Sequence, residues 1–278
     1  MGIKIRDYVN SLTGSLESQL NSMRQLSKSI SNIYKEAITD AISRVFNDAA
    51  QLDFRPIVID GDDVTVMMPS VYAFDFIKEF MKNLDSKSVY GLEGFKPTAA
   101  AGAAFVTLKF PFSVAYEIAE SCCKNSKAKT IERCGGAEAF LASPVSSMDY
   151  QVCYSNFSEN LPDYRNRYYR FGDYTLLRRP YTFGDGKYSF DSFMCDCDYF
   201  NLAVKDGGIA RSKLKGLRNA YGISVGEAEL YGSYIYSHCK TPKEQGPAKK
   251  LQKPFNDKKE AKFFDYLDVI DIAWKGEN

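Results

Sequence analysis

A single histidine, His238, stands among 278 residues, so few imidazoles are on hand for a metal centre or for proton transfer. Charge of one sign is lacking as well. The 36 Lys plus Arg are balanced by 35 Asp plus Glu, so no global basic field draws in nucleic acid, and such binding needs a local patch. Long apolar runs are missing too. The best candidate, AAAGAAFVTLKFPF (99–112), is cut by Lys109 and Pro111 short of the roughly 18 residues a membrane span requires, and reads as a buried strand. The opening MGIKIRDYVNSL has no apolar core of a secretory leader.

Cysteine is present but unmatched: Cys122, Cys123, Cys134, Cys153, Cys195, Cys197 and Cys239 make an odd number. A chain of this length can bury a substantial core without staples, so reduced thiols in a cytoplasm are the expectation. Cys195 and Cys197 are too closely spaced for a standard zinc pair, and His238-Cys239 alone does not complete one. Buried or half-buried thiols are the simpler reading.

Residues 3–50 carry Leu16, Leu20, Met23, Leu26, Ile30, Ile33, Ala37, Ile38 and Ala41 at three- and four-residue steps, the pattern of an amphipathic helix. Pro56 ends this region. A short strand IVI (57–59), a turn DGDD and a return strand VTVMM (64–68) then form a hairpin. Ser70 is placed to cap a helix over 70–84 with Phe74, Ile77, Phe80, Met81 and Leu84 on one face. A small-residue strand (99–109) and a helix (112–129) starting after Pro111 complete an α+β segment of about 130 residues. Beyond it, CGGAEAFLASPVSS reads as a linker, 148–153 and 174–177 as short strands, and 188–205, 209–220, 225–238 and 259–274 as helices. The basic, proline-containing stretch 240–262 reads as a mobile loop. The expectation is a domain over 1–130 followed by a mixed, mainly helical region over 131–278.

The chemistry concentrates at VIDGDDVTVMMP (58–69), where Asp60, Asp62 and Asp63 surround Gly61. Carboxylates adjacent at a turn can converge on divalent cations, and glycine lets a nucleotide approach the backbone. The same pattern also occurs in ordinary solvated hairpins. A second cluster interleaves Arg165, Arg167, Arg170, Arg178 and Arg179 with Tyr164, Tyr168, Tyr169, Phe171 and Tyr181, and ARSKLKGLR (210–218) adds Arg211, Lys213 and Lys215. Mixed cations and aromatics suit single-stranded RNA, and equally a tyrosine-rich core edge with solvated arginines.

The order of these pieces resembles the palm of the polymerase-like subunit of type III CRISPR effector complexes, a palm related to GGDEF diguanylate cyclases and nucleotide cyclases. The matching residues are Gly61-Asp62-Asp63, Ala101-Gly102, Lys109-Phe110-Pro111 and Ala128-Lys129. LRRPYTF (177–183) and RSKLKGLRNAY (211–221) resemble stretches downstream of the same palm. The resemblance implies a ferredoxin-like palm, an antiparallel sheet with helices on one face, followed by a helical region. It implies Mg2+ or Mn2+ at Asp62 and Asp63, joined by Asp60, which stands where the family usually has glycine. It further implies contact of Gly61, Lys109, Lys127 and Lys129 with an ATP substrate, and nucleotidyl transfer making a cyclic oligonucleotide or dinucleotide in antiviral defence. RNA contact through Arg178, Arg179, Arg211, Lys213 and Lys215, membership of a CRISPR ribonucleoprotein, and homo-oligomerisation belong to the same set of expectations. The family's first palm strand, with its own metal-binding aspartate, is expected to precede Gly2, and its second palm is not recognisable. Two other readings stay open: a catalytically inactive palm that binds RNA or protein as a scaffold, and a diguanylate-cyclase-like enzyme.

Overall fold

The amphipathic stretch at the start of the chain folds as two helices, α1 (Gly2–Ser11) and α2 (Leu16–Val45). Gly14, at φ +104°, breaks it, and Ser15 restarts it by accepting a hydrogen bond from the Ser18 amide. The structure is a computed structural model that describes residues 2–46, 53–92, 94–154 and 160–272. Residues 47–50 of the expected first helix and 273–274 of the expected last one lie outside the described residues.

Two compact units divide the chain, Met1–Ala99 with Ala137–Ser146, and Ala100–Gly136 with Ser147–Asn278. The first holds α1, α2, β1 (Arg55–Asp60), β2 (Asp63–Met67) and α3 (Ser70–Asp85). The second opens with β3 (Ala100–Phe105) and α4 (Phe112–Arg133), after which the short α5 (Ala137–Ala142) returns to the first unit. The second unit continues through β4 (Ser147–Val152), α6 (Leu161–Tyr168), β5 (Arg170–Phe171), β6 (Tyr174–Thr175) and β7 (Tyr181–Thr182). It then runs through α7 (Phe190–Lys205), α8 (Arg211–Tyr221), α9 (Val225–Ser237), α10 (Pro242–Leu251) and α11 (Phe264–Val269).

In the first unit the predicted stripe of α2 is the buried one: Leu26, Ile30, Ile33, Tyr34, Ala37, Ile38 and Ala41 face inward. Phe74, Phe76, Phe80, Met81 and Leu84 of α3 are buried as well, with the Tyr34 and Phe80 rings 6.1 Å apart. The expected cap at Ser70 is not formed: Pro69 is the N-cap residue, and Ser70 is the first helical residue without a side-chain cap bond. Pro69 fixes its own φ near helical values, so the chain turns into α3 one residue early.

The second unit is built on β4, buried along all six residues. β3 pairs with it in parallel from Ala100↔Ser147 to Phe105↔Val152, and β7 pairs antiparallel on its other edge. The crossover between the parallel strands includes α4, which lies so close to β3 that a Cβ on Gly102 would overlap the Ala119 carbonyl oxygen and the Cys123 amide nitrogen. The expected α+β class holds, with a parallel pair added to the antiparallel pairing expected. Among the described residues it carries a β1–β2 pair, a mixed β3–β4–β7 sheet and a β5–β6 pair. A strand buried on both faces favours a parallel neighbour with a helical crossover, and β4 is such a strand. All seven cysteines are free thiols.

The supposed mobile loop at 240–262 holds a helix, α10, over Pro242–Leu251. Thr241 and Glu244 form a reciprocal capping box at the start of α10, and Pro242 occupies its first turn. Gly232 of α9 then lets the end of α10 approach, since a Cβ there would overlap the Leu251 carbonyl oxygen. The expected helix at 259–274 is shorter, beginning at Phe264, and buried on every side.

Candidate active site

Asp60 and Asp63 are directly opposite each other across β1 and β2, so Gly61 and Asp62 alone make the turn. Gly61 has φ +59°, whereas Asp62 does not take a positive φ; that combination is the type II′ pattern, suited to the twist of paired strands. Left-handed geometry is therefore needed at Gly61 only, and nothing lies within 4 Å of where its Cβ would be. The strand period of two puts Asp60 and Asp63 on the face shared by Val58 and Thr65, while Ile59 and Val64 point to the other. Asp60, Asp62 and Asp63 are all exposed. A register shift between Pro56 and Val58 marks a bulge at Ile57, which raises the local twist below the turn.

Two carboxylates opposite each other in an antiparallel pair repel, and a third sits one residue away at the tip. A divalent cation relieves that repulsion. Among the described residues no group of three or more His, Cys, Asp and Glu side chains is arranged to hold an ion. The hairpin therefore offers an incomplete, oxygen-only donor set. This fits Mg2+ or Mn2+, which commonly take one or two protein carboxylates and complete their shells with water and substrate phosphate oxygens. Tyr34, buried on α2, was not among the expected site residues. Burial first, and the negative charges of Asp62 and Asp63 second, push its hydroxyl above the usual tyrosine range, so it stays protonated beneath the hairpin charges. Its place in the Ile30–Ile33–Ala37 stripe signalled only a core position.

The three lysines expected at a nucleotide stand on the second unit. Lys109 is exposed in the turn after β3, which ends at Phe105 rather than at residue 109. Lys127 is exposed on α4, and Lys129 is held 2.7 Å from Glu132; α4 runs to Arg133, so neither lysine is at its end.

The expected nucleic-acid cations are largely committed to the fold. Arg179 is buried, with Nη1 2.9 Å from Asp265 and Nη2 3.2 Å from Asp268, and its guanidinium lies over the Tyr150 ring. Arg178 donates to the Lys262 and Lys187 carbonyls. Arg211 and Lys215 both pair with Asp271, and Lys213 is half-buried. Arg165 makes a two-pronged contact to Asp149, at 2.6 and 3.2 Å, and Arg218 reaches Asp268 at 3.3 Å. Three buried carboxylates and three arginines thus tie β4, α6, α8 and α11 to the Arg179 segment. Buried charges need such partners, and these are internal.

Residues 1–133 match the family model of the second palm domain of Cas10/Cmr2. The match supports, over these residues, the resemblance to the palm of the type III CRISPR large subunit. The expectation that this family's second palm would be unrecognisable is thereby corrected, since the acidic hairpin lies within the stretch that matches that very palm. The matched palm ends at Arg133, so LRRPYTF and RSKLKGLRNAY, the downstream stretches of the resemblance, lie beyond it. A comparison of the chain with curated proteins gives no match.

Proposed function

We propose that the hairpin of this palm is the metal-binding half of a nucleotidyltransferase site that uses ATP to make a cyclic oligonucleotide or dinucleotide signal. The observation that supports this most is the placement of Asp60 opposite Asp63 with Asp62 at the tip, three exposed carboxylates on a two-residue turn. In this reading Asp62 and Asp63 hold magnesium or manganese, which when bound neutralises charge on the triphosphate. Gly61 keeps the turn free of a side chain, so a nucleotide meets backbone there. The ribose 3′-hydroxyl of one ATP attacks the α-phosphate of another, the new O–P bond forms as pyrophosphate leaves, and the hydroxyl proton passes to solvent. The protein would act within a type III effector assembly in the cytoplasm.

The test is incubation of the full chain, alone and with type III partner subunits, with labelled ATP or GTP and Mg2+ or Mn2+, followed by chromatography. Cyclic products are expected from the wild type. Replacing both aspartates (Asp62→Asn with Asp63→Asn) should lower the rate at least 100-fold without lowering the melting temperature of the metal-free protein. Absence of turnover in every combination would remove the reading. A scaffold role without catalysis is the second reading, favoured because among the described residues no three His, Cys, Asp or Glu side chains, those of the hairpin included, are grouped to hold an ion. It expects partner or RNA binding that the same double variant leaves unchanged.

A further inference from the structure

Six tyrosines are buried among the described residues: Tyr34, Tyr150, Tyr169, Tyr181, Tyr221 and Tyr266. Five have a partner for the hydroxyl. Tyr150 donates to the Asp265 carbonyl at 2.8 Å, Tyr181 to the Asp265 carboxylate at 2.7 Å, and Tyr221 to the Pro254 carbonyl at 2.9 Å. Tyr266 donates to the Asn201 side-chain oxygen at 3.3 Å, and Tyr169 accepts from Gln151 at 3.0 Å. Tyr34 is the exception. It is only 4% exposed, yet among the described residues its hydroxyl makes no hydrogen bond. A buried phenol normally finds a partner, because a polar group left out of water and unpaired is costly.

The surroundings of Tyr34 indicate where that partner belongs. Its ring lies in the buried stripe of α2, and the Phe80 ring of α3 is 6.1 Å away. These neighbours are apolar and offer no side-chain acceptor. The charges that act on the hydroxyl are those of the hairpin: after burial, Asp62 and Asp63 are what raise it above the usual tyrosine range. The phenol is therefore a neutral donor in the field of two carboxylates, bonded to neither. A cation would change that. A carboxylate that ligates a metal through one oxygen presents the other to an outer donor, and such donors fix the orientation of the ligand. A hydroxyl carried on a packed helix holds its place better than one on a loop.

We infer that Tyr34 is a positioning residue of the hairpin site: its O–H donates to the carboxylate oxygen of Asp62 or Asp63 that is left over when the other oxygen ligates a divalent cation. The inference rests on the metal-binding reading of the hairpin and adds to it a donor from α2. Tyr34 touches neither metal nor substrate in this arrangement and acts through the aspartates.

Binding of Mn2+ to the full chain, followed through the electron paramagnetic resonance signal of the free ion, tests it. The wild type should take up Mn2+ that Mg2+ displaces, and Asp62→Asn with Asp63→Asn should abolish the uptake. Tyr34→Phe keeps the ring and removes only the hydroxyl. Its Mn2+ affinity should fall about 10- to 100-fold, while the metal-free chain melts no lower than the wild type. A purely structural tyrosine would behave the other way round, with a lower melting temperature and unchanged affinity. Tyr116→Phe, an exposed ring on α4, is the control and should match the wild type. Equal Mn2+ affinity of Tyr34→Phe and wild type, with uptake still dependent on the two aspartates, overturns the inference and leaves the hairpin site standing. Uptake that is absent, or that the aspartate variant retains, overturns both. A loss that Tyr34→Phe shows only when ATP accompanies the metal assigns the hydroxyl to a phosphate oxygen, and overturns the inference as well.

Discussion

Three carboxylates meet at two places in this protein, with opposite surroundings. Asp60, Asp62 and Asp63 stand in solvent around a turn, and no ion pair answers them among the described residues. Asp149, Asp265 and Asp268 are buried and matched one for one by Arg165, Arg179 and Arg218. The buried set is satisfied and has no capacity left for a ligand. The hairpin set repels itself and has capacity to spare. Carboxylates available for chemistry are those the fold leaves unpartnered, which separates a site from a structural clasp more sharply than residue type does.

Removing Arg179 should have the largest effect. Arg179→Met leaves Asp265 and Asp268 buried without their main cation, and urea melting should register a loss of about 3–5 kcal/mol. A loss below about 1 kcal/mol would mean that the buried set is no clasp, and the contrast with the hairpin would fail. A smaller effect is expected at Glu260, where burial alone would raise the carboxyl. Hydrogen bonds from Lys187, Tyr188 and Asn256 outweigh it and hold the group down at about 2. Because the folded value lies below the unfolded one near 4.3, this contribution is complete above about pH 4.5 and is lost as pH falls toward 2. Glu260→Gln should cost about 1–2 kcal/mol at pH 7 and flatten the acid limb of the melting profile over that window. An unchanged acid limb would show that the hydrogen bonds do not act on the ionised form. The smallest effect, with the opposite sign, belongs to the hairpin. Asp60→Asn removes one of two facing charges and should stabilise the metal-free protein by about 0.2–1 kcal/mol in low salt. It should also weaken any Mg2+-dependent rise in melting temperature. A destabilised Asp60→Asn chain would mean the pair is not repulsive.

Local features were readable in the sequence, and distant pairings were not. The α2 stripe and the hairpin depend on residues within a few positions and formed near their expected places, but the strands run on to Asp60 and Asp63 and leave Gly61 and Asp62 at the turn, where the four residues DGDD were expected. Arg179 looked like a surface cation because nothing near it in the chain indicates burial; its acids follow 86 and 89 residues later. α11 was hard to delimit for a related reason. It is buried on all sides yet carries Asp265 and Asp268, so neither apolar period nor polarity marks its bounds. Thr241-Pro242-Lys243-Glu244 is a different case, since its capping box is a local signal. The lysines and prolines around it suggested a linker and obscured that signal.

The turn of the hairpin has a consequence for how this site can vary. With only Gly61 and Asp62 between the strands, Asp60 and Asp63 share a face by parity alone. Slipping the pairing by a single residue sends one carboxylate to the opposite side, with every amino acid in the segment unchanged. A substitution can be compensated by another oxygen donor, whereas a slip in register cannot. Length is therefore the stricter constraint here, and insertions or deletions that keep the two aspartates on one face are those the site can survive.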